Sequence, residues 1–390
     1  MAIRPPIKNI KKTEINTGRF LELTEIKVET LIGRKVSLVM KTNYHQTVGS
    51  GSPGKNAAVL WLLLSPLLGL AAPPMPAAEP VVILLSAGAN DRDIQAALDA
   101  LPAGGGEVVL PPGKFEIHQP VVLHRDFQTL RGAGATTILW LADNANCPVI
   151  IMGEPGNTPA RIIRHLKVAG FFVDGNRLHQ QRELWRLKDE GSAIRNNGIT
   201  VQAVTDSSVE NVVCARCRSG GLVTTLGVQR LTVRDYESYD NQFDGLACYL
   251  TTDSVFTNLR LHDNPGAGIS LDLAFNHNVI SNAVLTANDL GIFMRSSRAN
   301  QFYNVAIRNS HHHGVFMAHS ETQTASGWGP APKTECVYNS FTNLIAMNCG
   351  GAAFRVNNTT CTHNVIIRAR FEGNGKGGLS LAQPDLVAVQ

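Results

Sequence analysis

A repeat of nearly constant length dominates the second half of the chain. Six segments open with glycine, alternate apolar residues with others as strands do, and begin 23 or 24 residues apart, at Gly198, Gly221, Gly245, Gly268, Gly291 and Gly314. A period of this length, with strand-type and not helical alternation, indicates the stacked coils of a solenoid. We therefore predict an all-β fold, a single-stranded right-handed parallel β-helix.

Equivalent positions of successive coils should lie one above another, about 4.8 Å apart. The first and third residues after each glycine are apolar, as Leu246 and Cys248 are, and should face the core. We expect the glycine to supply a backbone conformation that a side chain would resist at the turn. The fourth positions should form an outward ladder where function is sought, made of Thr225, Tyr249, Asp272, Arg295 and Ala318.

Asparagines precede three of the glycines and form a second predicted ladder. Their side-chain amides can bond turn backbone in neighbouring coils. The three are Asn241, Asn264 and Asn288.

The chain divides into three predicted segments. Residues 1–39 mix lysine and glutamate without the repeat, which indicates an upstream extension outside the fold or a disordered segment. Residues 40–78 contain a polar start, an apolar run over 57–72 and small residues up to Ala78, the pattern of a secretory signal peptide. A membrane anchor is the alternative, but a run of this length interrupted by Pro66 is short for a span. We therefore expect a secreted or periplasmic protein, with residues 79–390 as the β-helix domain and no membrane span in the mature chain.

Charge and cysteine content narrow the function classes. The formal charge is only +4 and no basic run is interleaved with aromatic residues, so we expect no nucleic-acid partner. An exported protein can form disulfides, and Cys336 and Cys361 occupy equivalent places in consecutive coils. They are candidates for a bridge, whereas Cys214 and Cys217 lack the further ligands of a metal site and should fill the core.

The segment before the repeat predicts a cap. Residues 91–101 form an amphipathic pattern with Asn90 or Asp91 as N-cap, and glycines at 104–106 stop it. The run from Asp93 through Gly104-Gly105-Gly106 to Phe115 resembles the first segment of the pectate lyase superfamily, in which a helix caps one end of a β-helix. The resemblance covers about residues 80–385 and implies this fold, while the superfamily includes lyases, hydrolases, epimerases and non-catalytic stalks.

Two insertions flank the outward ladder. They cover residues 177–191 and 321–335 and carry one tryptophan each, Trp185 and Trp328. These rings could stack on sugars as substrate-binding residues, or they could anchor their own loops.

The ladder between the insertions predicts a catalytic site. We expect Tyr249, Asp272, Arg295 and His319 to be catalytic, with Arg295 neutralising a sugar carboxylate and a Tyr or His moving protons. Arg355 and Asp244 are expected to bind substrate. The alternative for Asp272 and Arg295 is an ordinary surface ion pair.

The resemblance extends to the alginate epimerases of this fold only in part. Asp272 and Arg295 resemble their catalytic Asp and Arg, but the Asp-Pro-His-Asp motif is absent, since Leu-Ala-Phe follows Asp272. The clustered calcium-binding aspartates of a pectate lyase are not evident either. We therefore predict no metal and no cofactor, with Ca²⁺ left open. His311-His312-His313 should fill a turn.

The sequence favours an exported protein that acts on an acidic, uronate-containing polysaccharide by β-elimination or C5-epimerisation. A glycoside hydrolase that pairs Asp272 with Asp244 or Asp253 is one alternative. A non-catalytic carbohydrate-binding or surface solenoid is the other. The particular polysaccharide and the oligomeric state, monomer or homo-oligomer, stay open.

Overall fold

The computed structural model describes residues 26–29, 35–38, 81–185, 194–319 and 335–390. The chain divides into two units, residues 1–77 and residues 78–390. In the first unit the described residues are two antiparallel strands, β1 (Ile26–Glu29) and β2 (Lys35–Leu38). The predicted signal peptide lies outside the described residues, so export stays a prediction.

The second unit begins with a strand, β3 (Val81–Leu84), and a capping helix, α1 (Asp91–Ala100). The Asn90 side chain accepts hydrogen bonds from the backbone N–H groups of Arg92 and Asp93, and Asp93 accepts one from the backbone of Asn90. This capping box satisfies N–H groups that would otherwise lack partners in the first turn. The apolar side of the helix is buried and contacts the first strands of the solenoid, which confirms the predicted cap.

The remaining strands are short and follow one another around the coils. Through residue 225 they are β4 (Gly106–Val109), β5 (Gly113–Ile117), β6 (Val121–Leu123), β7 (Gln128–Arg131), β8 (Thr137–Leu141), β9 (Ile150–Met152), β10 (Ile163–Arg164), β11 (Lys167–Asp174), β12 (Ile199–Gln202), β13 (Val204–Thr205), β14 (Ser208–Ala215) and β15 (Leu222–Thr225). Single 3-10 turns cover Gly134–Thr136, Arg177–His179 and Pro384–Leu386.

The later strands continue the same pattern. They are β16 (Val228–Gln229), β17 (Thr232–Tyr239), β18 (Leu246–Tyr249), β19 (Thr251–Thr252), β20 (Val255–His262), β21 (Ala267–Asp272), β22 (Phe275–Asn276), β23 (Val279–Thr286), β24 (Leu290–Arg295), β25 (Ser297–Arg298), β26 (Gln301–Arg308), β27 (Val315–Ala318), β28 (Ser340–Met347), β29 (Phe354–Val356), β30 (Asn364–Glu372), β31 (Leu379–Leu381) and β32 (Val387–Val389).

Three parallel sheets of ten, fourteen and six strands run along the solenoid, and the predicted right-handed parallel β-helix is confirmed. The ten-stranded sheet contains β6, β9, β12, β15, β18, β21, β24, β27, β29 and β31. We call each coil a rung and the outer surface of this sheet the strand face. On its inner side Leu246 pairs with Ile269, which pairs with Ile292, and all three are fully buried. The predicted apolar core is therefore confirmed.

The repeat glycines are required for a reason other than the predicted one. None of the six has a positive φ. In the coil after Gly245, positive φ falls on Leu250, Asp253 and Asp263, which lie between strands, and on Asn258 within β20. Instead, a β-carbon on Gly221 would lie 2.6 Å from the carbonyl oxygen of Gly245 on the next rung. Glycine is needed because successive backbones approach closely there.

The predicted asparagine ladder is present and buried. The Asn264 Oδ1 accepts from the backbone N–H of Asn241 at 3.3 Å and from its side-chain amide at 2.9 Å. The Asn288 Oδ1 likewise accepts a hydrogen bond from the backbone N–H of Asn264 at 3.1 Å. These amides satisfy backbone groups at corners that no strand partner reaches.

A second buried ladder runs along another corner. In each step, one asparagine side chain accepts from the backbone N–H of the equivalent residue one rung earlier. Its members are Ser254, Asn278, Asn300, Asn339 and Asn364. The glycine period does not predict this ladder.

We expect Asn300→Ala to lower the free energy of unfolding by about 3 kcal/mol. The substitution removes the acceptor for the backbone N–H of Asn278 and the donor for the carbonyl of Phe275, which lie at 3.0 and 2.8 Å in a fully buried corner. Urea unfolding followed by circular dichroism measures the change. The neighbouring exposed Gln301→Ala is the control, with an expected change below about 0.5 kcal/mol. Equal effects of the two substitutions would contradict the role of the ladder.

Candidate functional site

The outward ladder on the strand face has the predicted order. Tyr249 pairs with Asp272, and Arg295 pairs with Ala318. Leu271 pairs with Met294, so Arg295 lies on the rung directly after Asp272. Gln202 pairs with Thr225 and extends the ladder by one rung.

Asp272 and Arg295 form a pair that is more buried than a typical surface ion pair. The Asp272 side chain is 4% exposed and that of Arg295 is 41% exposed. Arg295 donates to Asp272 Oδ2 from Nε at 2.9 Å and also from Nη2, while the Leu273 backbone N–H donates to Oδ1 at 2.8 Å. Burial raises the pKa of Asp272, and the guanidinium of Arg295 opposes that rise. The pair fixes the direction of the guanidinium across the strand face.

A groove of about 640 Å³ lies on the strand face over β12, β15 and β18. Asp244 and Tyr249 line it, together with Arg195, which was not among the predicted site residues. Arg195 is exposed, donates to Glu183 Oε2 at 3.0 Å and lies 5.6 Å from the centre of the Phe243 ring. A concave site that combines a carboxyl, a phenol and a guanidinium is a candidate active site.

Asp244 has a carboxyl that titrates close to neutrality. Burial raises its pKa from 3.8 to about 6, although the Ala267 N–H donates to Oδ1 at 2.7 Å and the charge of Arg195 opposes the rise. At neutral pH the carboxyl is mostly ionised and retains appreciable basicity. That combination suits a general base.

Tyr249 keeps its proton. Burial raises the pKa of its phenol, and the negative charges of Asp244 and Asp272 raise it further, while a hydrogen bond with Ser270 and the charge of Arg195 lower it. The phenol is therefore neutral over the physiological pH range and can donate a proton. Asp244 and Tyr249 thus have complementary protonation states in the same groove.

The carboxyls proposed for the hydrolase alternative belong to different parts of the solenoid. Asp244 binds the backbone of Ala267, the first residue of β21, whereas Asp272 is the last. Asp253 lies after β19, beyond the corner that ends the strand face. The pairing of Asp244 with Asp272 stays an alternative prediction, and Asp253 does not face the same groove.

His319 is not brought together with Tyr249. Its backbone N–H donates to Asn358 Oδ1 at 3.1 Å, and its Nδ1 lies 3.0 Å from Thr360 Oγ1. His319 follows Ala318, which is three rungs from Tyr249, or about 14 Å. His319 therefore lies at the far end of the ladder from Tyr249, and its catalytic role stays a prediction.

Arg355 lies farther along the strand face, on the rung after Phe316. Its guanidinium contacts Ser380 Oγ at 2.5 Å and Asn357 Oδ1 at 3.2 Å. Arg355 is two rungs, about 10 Å, beyond Arg295. It stays a prediction as a contact for a more distant part of a substrate.

The tryptophans have different outcomes. Trp185 is only 8% exposed and belongs to the hydrophobic core, and its backbone N–H donates to the carbonyl of Ile194 at 2.8 Å. A ring buried to this extent cannot stack on a sugar, which favours the alternative that Trp185 anchors its own loop. Trp328 lies outside the described residues.

The described residues contain no group of three or more His, Cys, Asp or Glu side chains suited to a metal ion. Within the histidine run, His312 Nδ1 lies 2.6 Å from Asp289 Oδ1, and His313 Nδ1 accepts from the Ala352 backbone N–H at 2.9 Å. These contacts join the turn to neighbouring rungs. In the described part of the chain, no helix has the length and apolar character needed to cross a membrane.

Comparisons with known proteins agree on the fold. A family model described as a right handed beta helix region matches residues 172–304. No curated protein matches the chain by sequence.

Several solved structures share the architecture. The A-module of mannuronan C-5 epimerase AlgE4 from Azotobacter vinelandii is 17% identical, with a TM-score of 0.50 over 77% of this chain and 95% of that one. An alginate lyase from a Paenibacillus species is 12% identical, with a TM-score of 0.53 over 79% and 99%. ORF18 of Geobacillus virus E2 is also 12% identical, with a TM-score of 0.56 over 87% and 65%. At these identities the likeness shows the fold alone.

We expect Arg295→Met to lower the free energy of unfolding by about 2 kcal/mol, because it leaves the buried Asp272 carboxylate without its cation. Adding Asp272→Asn should recover more than half of the loss, since the remaining group is then neutral. Urea unfolding of the two single variants and the double variant measures the coupling. Additive losses in the double variant would show that the pair has no energetic coupling.

Proposed function

We propose that this chain acts on an acidic, uronate-containing polysaccharide by moving the proton at C5, in β-elimination or C5-epimerisation. One observation carries the proposal: Asp244, with a pKa of about 6, and Tyr249, with a raised pKa, line the same groove. The structural likeness to a mannuronan epimerase and an alginate lyase supports the proposal, because those two proteins share this fold.

The reaction first requires positive charge beside the substrate carboxylate, and arginines can supply it. The proton at C5 of a uronate becomes acidic only when the adjacent carboxylate is neutralised, so that negative charge can spread into it. The guanidinium of Arg295 is directed back to Asp272, one rung from Tyr249, and Arg195 lines the groove beside Asp244. In the proposal Arg295 binds the carboxylate of the reacting sugar, and Arg195 and Arg355 bind neighbouring parts of the polymer.

The reaction also requires a general base and a proton donor, and in the proposal these are Asp244 and Tyr249. The ionised Asp244 takes the C5 proton as general base, and the C5 electron pair delocalises into the neutralised carboxylate. In β-elimination the electron pair then forms the C4–C5 double bond while the C4–O4 bond breaks, and Tyr249 gives its proton to O4. In epimerisation Tyr249 instead gives its proton to C5 from the opposite face. The two outcomes differ only in which atom the phenol reaches.

Proton NMR on the full chain mixed separately with pectate, alginate and a neutral glycan tests the proposal. New vinylic protons indicate elimination, and inverted C5 stereochemistry without cleavage indicates epimerisation. Reducing-end signals without vinylic protons would indicate hydrolysis and contradict the proposal. Line broadening of one glycan without any product would contradict it in favour of a binding module.

We expect Asp244→Asn and Tyr249→Phe each to lower kcat/KM at least about 100-fold, because each removes one proton-transfer group. Asp253→Asn is the matched control and should retain activity, since Asp253 lies beyond the strand face. In the unsubstituted chain, kcat/KM should rise as pH increases through about 6, where Asp244 loses its proton. The residual activity of Asp244→Asn should lack this rise; its persistence would assign the base to another group.

Stability provides a readout of Asp244 that is independent of activity. Because its folded pKa is raised from 3.8 to about 6, its contribution to stability is present below pH 4 and is lost as pH rises through 6. Asp244→Asn should therefore be more stable than the unsubstituted chain at pH 8, by on the order of 2 kcal/mol. The difference should disappear near pH 4. Urea unfolding at the two pH values measures it, and an equal difference at both would contradict the raised pKa.

A further inference from the structure

Two buried cysteines occupy equivalent positions on adjacent rungs. The backbone N–H and the side-chain amide of Asn339 both donate to Asn364 Oδ1 at 3.0 Å, which places these asparagines in register. Cys336 and Cys361 each lie three residues before one of them. The Asn364 side chain also donates to the Cys336 carbonyl at 3.1 Å, so the backbones are held at both positions.

The spacing of the rungs matches the geometry of a disulfide. Neighbouring strands lie about 4.7 to 4.9 Å apart, and bridged cysteines have Cα atoms about 4.4 to 6.8 Å apart. Both side chains are fully buried and occur as free thiols. They also interact: a hydrogen bond with Cys336 lowers the pKa of Cys361, whereas burial raises the pKa of Cys336. The register of Asn339 and Asn364 thus places the two interacting thiols on adjacent rungs.

No other cysteine of the described chain has this relation to a second one. Cys214 pairs across rungs with Ser238 and Cys248 pairs with Leu271. Cys217 lies on the same coil as Cys214, and its N–H bonds to Asn241. A β-carbon on Gly198 would lie 3.0 Å from both Cys214 Sγ and Cys217 Sγ, so these thiols are also near each other, but a bridge within one coil would not join two rungs. Among the described cysteines, a bridge between rungs is therefore directed to Cys336 and Cys361.

We propose that Cys336 and Cys361 are an oxidisable dithiol, which a small disulfide such as oxidised glutathione converts into a covalent bridge between two rungs. The Cys361 thiolate attacks one sulfur of glutathione disulfide and releases one glutathione thiolate, which takes up the proton that Cys361 gave. Cys336 then attacks the Cys361 sulfur of the mixed disulfide and releases the second glutathione with the proton of Cys336. Two thiols are oxidised and one glutathione disulfide is reduced.

The bridge would fix the surroundings of His319. The Cys336 S–H donates to the carbonyl of Ala318 at 3.4 Å, directly before His319. Cys361 ends the turn that begins at Asn358, to which the His319 N–H donates. Oxidation removes the S–H donor, but the disulfide closes a covalent loop over residues 336–361 that contains Asn358. Oxidation should therefore restrict the backbone at His319 and stabilise the later rungs.

Refolding of the full chain from denaturant in reduced or oxidised glutathione, which gives the reagent access to both thiols, tests the proposal. Alkylation of remaining thiols, digestion and mass spectrometry should then find a linked Cys336–Cys361 peptide only after oxidation. The oxidised chain should have a Tm higher by about 5 °C, as expected for a loop of this length in a domain of this size. Amide hydrogen exchange at His319 should be slower in the oxidised chain.

Two variants isolate the bridge. The double variant Cys336→Ala and Cys361→Ala should show no Tm shift between the two glutathione buffers, whereas Cys349→Ala should retain the shift. Mass mapping of the unsubstituted chain needs neither variant and decides the matter if the double variant fails to fold. Alkylation of all seven cysteines after refolding in oxidised glutathione, or a bridge between other cysteines, would overturn the proposal.

Discussion

The structure depends on side-chain amides that bond backbone at the corners of the coil. A strand satisfies its own N–H groups by pairing, but a corner has no regular partner, and these corners are buried. Asn264 and Asn300 accept from the backbone of one rung while they donate to carbonyls of the solenoid interior. Each rung is therefore positioned by the next, and the ladder of Tyr249, Asp272 and Arg295 on the strand face inherits that register.

Much of this architecture could be predicted because a constant coil length fixes which residues stack. The glycine period correctly placed Tyr249 beside Asp272 and identified the ladder through Asn264. The ladder through Asn300 was missed because the insertion before Cys336 stretches one step to 39 residues, against 22 and 25 on either side. The prediction that the glycines supply a special backbone conformation was wrong. Their actual role depends on how closely the backbones of two rungs approach in the folded structure, which the sequence pattern does not show.

The candidate site was harder to predict than the fold. Arg195 lies between the first insertion and Gly198, outside the repeat, so periodicity gives no signal for it. Asp244 was identified as a substrate contact, but its raised pKa results from burial in the groove, which a sequence does not specify. Trp185 was expected at a groove edge, yet the apolar surface of its ring is satisfied by the core. Local environment, more than residue type, distinguishes these cases.

Because the rungs stack at a constant spacing, side chains along the strand face lie at regular intervals. The chemical groups of the groove and Arg295 belong to earlier rungs, whereas Arg355 is carried by a later one. During evolution, the gain or loss of one whole coil between the groove and Arg355 would move Arg355 by one rung spacing, about 4.8 Å. The coil that carries Arg355 would not change. A solenoid can thus change the length of polymer that its strand face contacts in discrete steps, while the residues at the reacting sugar keep their positions.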